Sequence, residues 1–133
     1  MPMKSKHAGF TMMELLTVIL IVTILACAAV PLMKGKIDRS KWTEANAGAA
    51  TIRTAVMTYF METGNTITGN LSNASLQQAL HMSDEDINGS YFVSSDYQID
   101  SVNADGLAVI TVTGSQTNAP SGSKTLSLDG SFE

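Results

Sequence analysis

Between Phe10 and Met33 lie 24 residues whose only ionisable side chains are the Glu14 carboxylate and the Cys27 thiol. Leucine, isoleucine, valine, methionine and alanine fill most of the other positions. At 1.5 Å per residue, a helix of this length reaches roughly 36 Å, enough to cross a hydrocarbon core of about 30 Å. A helix that is apolar all round belongs in lipid or among other helices. An ionised side chain in that setting costs a few kcal/mol unless it is paired. Glu14 is therefore the residue that most needs a reason.

The flanks set this run apart from an ordinary export signal. Lys4, Lys6 and His7 make a short basic leader. A cleavable secretory signal carries its small-residue site after the apolar stretch. Here "ACAAVP" lies within the helical pattern, while Ala8 and Gly9 precede the run. A cut after Gly9 removes residues 1–9 alone, leaves the greasy helix on the product, and takes the net charge from −4 to −6. An acidic chain argues against a general nucleic-acid surface. With one cysteine there is no internal disulfide, and Cys27 reads as a small apolar side chain.

Beyond the run, Pro31 removes a backbone donor and predicts a bend in the helix, with Gly35 loosening the same region. The helical rhythm resumes in "KWTEANAGAATIRTAVMTYFMETG". Trp42, Ala45, Ala49, Ile52, Val56, Tyr59 and Phe60 fall on one stripe. Gly64 then stands where a helix ends. The spacing predicts one helix from about 11 to 62, roughly 80 Å long. Residues 65–90 read as a connecting segment, "NTITGN" being loop, with a short helix around Leu76, Ala79 and Leu80 capped by Ser72 or Asn73. Residues 91–133 read as an antiparallel meander of three or four strands: "SYFVSSDYQIDSV", a turn at "NADG", "LAVITV", a flexible loop "SQTNAPSGS", and a last strand in which Leu126 and Leu128 alternate with polar residues. The expected class is α+β, with the second half of the long helix packed on the sheet in a ladle shape.

The stretch Lys6 to Leu16, "KHAGFTMMELL", followed by an apolar helix and Pro31, resembles the N-terminus of type IV prepilins and type II secretion pseudopilins. The similarity covers roughly residues 6–31, about a fifth of the chain. It implies cleavage between Gly9 and Phe10 by a membrane-embedded prepilin peptidase, and N-methylation of Phe10. A residue without a Cβ at position 9 suits close approach of a protease. It implies that Glu14 serves assembly, pairing with the Phe10 amine of a neighbouring copy. It further implies a homo-oligomeric helical filament, with a motor and a platform protein as partners. The precursor would sit in the inner membrane through residues 10–33, with 34–64 as the amphipathic half, and the product would be extracellular. Three departures matter. Thr23 stands where many relatives have a glycine that unwinds, a C-terminal disulfide loop is absent, and so is the "DPWG" of major pseudopilins. The last favours a pilus over a secretion pseudopilus; a pseudopilin of a type II secretion or DNA-uptake machine is the alternative, and a membrane-anchored binding domain is the second.

Weaker signals remain. "DEDING" from Asp84 to Gly89 matches the front half of a calcium loop, with Asp84, Asp86 and Asn88 as its donors. Ser95 occupies its twelfth position, so a solvated turn opened by Ser83 is the preferred reading and no cofactor is expected. Lys34, Lys36, Arg39 and Lys41 read as a headgroup collar or as partners for acids on neighbouring subunits, with DNA binding the sharper alternative. Asn70, Asn73 and Asn88 head N-x-S/T triplets, His7 and His81 have no evident partners, and no nucleophile–base arrangement points to an enzyme.

Overall fold

The computed structural model describes residues 2–3 and 8–133. The leader residues Lys4, Lys6 and His7 lie outside them. Helix α1 runs Met12–Thr63 without interruption through Pro31, and Gly64 closes it at φ 69. The chain divides into two compact units, residues 1–37 and 38–133. In the first, α1 is exposed along its whole length. In the second, Ala45, Ala49, Ile52 and Val56 are completely buried, the stripe that the spacing predicts.

That stripe packs on a four-stranded antiparallel sheet, β1 (Gly69–Asn70), β2 (Tyr97–Val102), β3 (Ala108–Thr113) and β4 (Ser123–Leu126), in sequence order. Alternation sends Tyr97, Ile99, Ile110 and Val112 inward, while Gln98 and Thr111 stay on the other face. Gly48 is what lets β2 come so close, because a Cβ there would overlap the Tyr97 hydroxyl group. The Arg53 guanidinium ties α1 to the sheet ends. Its Nε donates to the Ala108 carbonyl at 2.9 Å and its Nη2 to those of Leu126 and Ser127.

Tyr97 is 1 % exposed, and its hydroxyl is held in the acid form far above tyrosine's ordinary range. Burial is the main cause, followed by the carboxylates of Glu44 and Asp96. A pKa raised on folding gives stability that is complete below the unfolded value of about 10 and is lost above it, since the unfolded chain ionises first. Thermal melts of the full chain in detergent between pH 8 and 11 should show a steep loss of stability above about pH 10. Tyr97→Phe should flatten that loss, and equal slopes would sink the assignment.

Between β1 and β2 in the chain lie two short helices. Helix α2 (Ala74–Ala79) is capped by Asn73, whose Oδ1 accepts from the Ser75 amide. It ends with His81 at φ 52, where His81 donates to the Gln78 carbonyl and Met82 to that of Gln77. This is the left-handed C′ position that glycine usually fills. His81→Gly is expected to stabilise the fold by about 0.5–1 kcal/mol, read as a rise of a few degrees in Tm. Helix α3 (Asp84–Ile87) is opened by Ser83, as the solvated-turn reading has it.

Four segments depart from the sequence reading. "NTITGN" contributes β1, whose two residues pair with Gln98 and Ile99. Tyr91 and Phe92 form no strand, because the Glu44 carboxylate takes both of their amide protons; a short 3₁₀ turn, Ser94–Asp96, follows. The last strand stops at Leu126. The chain turns at Asp129 and Gly130 and folds back, so that Leu126 bridges Phe132 while Leu128 is left 46 % exposed on the turn. The loop from Ser115 to Ser123, expected to be free, is tied down. Pro120 is buried, Ser115 donates to Asp96, and the Asn118 carbonyl accepts from Lys41.

Candidate functional site

The start of α1 is built from a reciprocal cap. The Thr11 amide donates to Glu14 Oε2 at 2.9 Å, and the Glu14 amide donates to Thr11 Oγ1 at 3.2 Å. This is a capping box, and it satisfies backbone donors that a helix otherwise leaves unpaired at its first turn. The carboxylate also faces the positive end of the helix dipole. Among the described residues the other oxygen, Oε1, accepts no hydrogen bond. Phe10, Met13, Glu14, Thr17 and Val18 line an open depression of about 410 Å³ around it. Phe10 is 83 % exposed, and Gly9 has open space where a Cβ would be.

Thr11 is the residue whose role the sequence reading missed. The signal was present, since Thr11-Met12-Met13-Glu14 is a T-x-x-E box directly before an apolar run. Further along, the polar side chains are silenced locally. Thr17 donates to the Met13 carbonyl at 2.8 Å and Thr23 to that of Ile19 at 2.7 Å. With those bonds made, neither hydroxyl needs a partner from outside the helix. Cys27 and Pro31 lie on the exposed helix beyond them. The stretch is long and apolar enough to cross a membrane, and none of it is buried within the chain.

The other candidates are spread over the second unit. Asp84 accepts from Gln77 Nε2 at 2.7 Å, Asp86 from the Ser83 amide and hydroxyl at 2.8 Å each, and Asn88 Oδ1 from the Ser94 amide at 2.8 Å. Hydrogen bonding from the Ser94 side chain first and Gln77 second holds the Asp84 carboxyl below the usual carboxylate range, and the Ser83 amide and hydroxyl do the same for Asp86. Among the described residues no three His, Cys, Asp or Glu side chains gather as a metal cluster. Of the basic group, Lys41 is occupied by Asn118 and by the Tyr91 ring, 5.0 Å away, and Arg39 borders a cleft beside Trp42.

Comparison with protein families matches residues 4–30 to the prokaryotic N-terminal methylation motif. No solved structure matches the chain. The matched span contains Gly9, Phe10, Thr11 and Glu14 and most of the exposed apolar helix. This chain carries the prepilin-like signal of type IV pilins and pseudopilins at residues 4–30.

Proposed function

We propose that the chain is a structural subunit of a type IV pilus-like filament, cut between Gly9 and Phe10, N-methylated on Phe10, and polymerised through residues 10–33. The observation that carries this reading is an apolar helix exposed on every side, with one carboxylate at its start. Such a helix needs cover from lipid first and from its own copies afterwards. Ala26, Ala28 and Ala29 allow close approach between those copies.

Cleavage after Gly9 spares both halves of the capping box, because the box uses only Thr11 and Glu14. The new amine at Phe10 belongs to the same chain end, but Oε1, which accepts no hydrogen bond among the described residues, suits the amine of a neighbour. Pairing across copies fixes the axial register between them, and a buried ion pair serves specificity better than stability. Pro31 is where the helix would bend. A prepilin peptidase and an extrusion machine are the partners that such a subunit requires, and its role is structural rather than catalytic.

Shearing intact cells, pelleting the filaments and taking an intact mass from pellet and membrane tests the reading. Abundant sheared protein beginning at methylated Phe10 is the expected result. The same mass found only in the envelope would turn the reading toward a secretion or uptake pseudopilus. A chain retaining residues 1–9 in the membrane would overturn it in favour of an anchored domain.

A further inference from the structure

Arg39, Trp42, Thr43, Asn46, Lys124 and Phe132 line an open cleft of about 220 Å³. The Trp42 and Phe132 rings meet edge to face at 6.1 Å, and Lys124 Nζ stands 5.8 and 5.7 Å from them. Cation–π attraction holds that ammonium over an aromatic wall. Arg39 adds a second cation and Asn46 an amide. A cleft of this make-up fits a carboxylate on a short stem. The chain as a whole is acidic, so this cationic spot is a local minority that calls for an acidic occupant.

The same unit presents a matching acid elsewhere. Asp84, Glu85 and Asp86 are all exposed on α3. Asp84 and Asp86 are fixed in place by Gln77 and Ser83, while Glu85 makes no hydrogen bond among the described residues. Asp86 borders a different depression, with Thr51, Thr54 and Thr58 of α1. The acidic turn and the cationic cleft are therefore separate surfaces of one unit.

We propose that the Asp84–Asp86 turn of one copy docks in the Arg39–Lys124 cleft of the next. Two unlike patches on one molecule make a heterologous contact, which repeats as an open helix unless its rotation closes a ring. The inference rests on the filament reading and adds a contact between soluble units to the one between apolar helices. Charge complementarity of this kind sets partner orientation and rejects wrong registers.

The test uses the full chain in cells, with Cys27→Ala, Asn46→Cys and Glu85→Cys combined. Oxidising sheared filaments should give a ladder of disulfide-linked multimers, absent when either new cysteine is left out. Lys124→Glu or Glu85→Lys alone should lower the sheared yield about tenfold, and the two together should restore it. A misfolded variant would not be rescued by the second change. Filaments at normal yield with neither ladder nor rescue would overturn this contact and leave the filament reading standing. An unaltered chain that makes no filaments would remove both. Should Lys124→Glu spare filaments but abolish salt-dependent retention on DNA, the cleft is a polyanion site and the proposal falls.

Discussion

Glu14→Ala is expected to abolish sheared filaments while cleavage after Gly9 continues. On the proposed reading the peptidase recognises the leader and Gly9, none of which the change touches. The proposed pairing between copies uses the one carboxylate of the apolar stretch, and alanine has none. Alanine also removes the cap on Thr11, at a cost of about 1 kcal/mol at the helix start, so by itself it does not separate capping from pairing. Glu14→Gln does separate them. Its amide oxygen can still accept the Thr11 proton, so the capping box survives, but the charge is gone. Processing by intact mass should match the unaltered chain, and filament yield should fall by at least about tenfold, the equivalent of 1.4 kcal/mol per contact. A glutamine variant that assembles normally would reduce Glu14 to a capping residue and remove the ion pair from the mechanism.

Ile52→Ala is expected to be the most damaging single change in the unit of residues 38–133. Ile52 is completely buried at the centre of the helical stripe, between Ala49 and Val56 and against the inward face of the sheet. Truncation removes three carbons from a close-packed site, and the neighbours close the gap only in part. The expected loss is about 3 kcal/mol, which for a unit of this size lowers Tm by roughly 15 °C. Ile52→Val, removing one methyl group, should cost about 1 kcal/mol and serves as the graded control. A thermal melt of both variants in detergent decides the matter. If alanine shifts Tm by no more than valine does, the stripe is not the core of this unit.

The stripe was legible because helical periodicity is a local property, set by 3.6 residues per turn whatever the helix packs on. So were the NADG turn, where Asn103 Oδ1 accepts from the amides of Asp105 and Leu107, and the Asn73 cap. The prepilin-like signal was legible for a related reason. It matches a family motif over consecutive residues 4–30, and an apolar length is likewise a contiguous property of the chain. Even the Thr11–Glu14 box follows from a four-residue pattern.

Only the tertiary structure decided the rest. No local pattern says that Glu44 will claim the amides of Tyr91 and Phe92, 47 and 48 residues away, and so prevent a strand. Strand β1 exists through its pairing with β2 and has no periodicity of its own. Leu128 had the right alternation, but the turn at Asp129 and Gly130 reverses the chain before it can reach the core. The cleft joins Arg39 and Trp42 of the helix to Lys124 and Phe132 near the far end of the chain. The prepilin-like signal and the apolar helix are written in consecutive residues. The cleft proposed to meet another copy is assembled from residues some 80 to 90 positions apart, which only folding brings together.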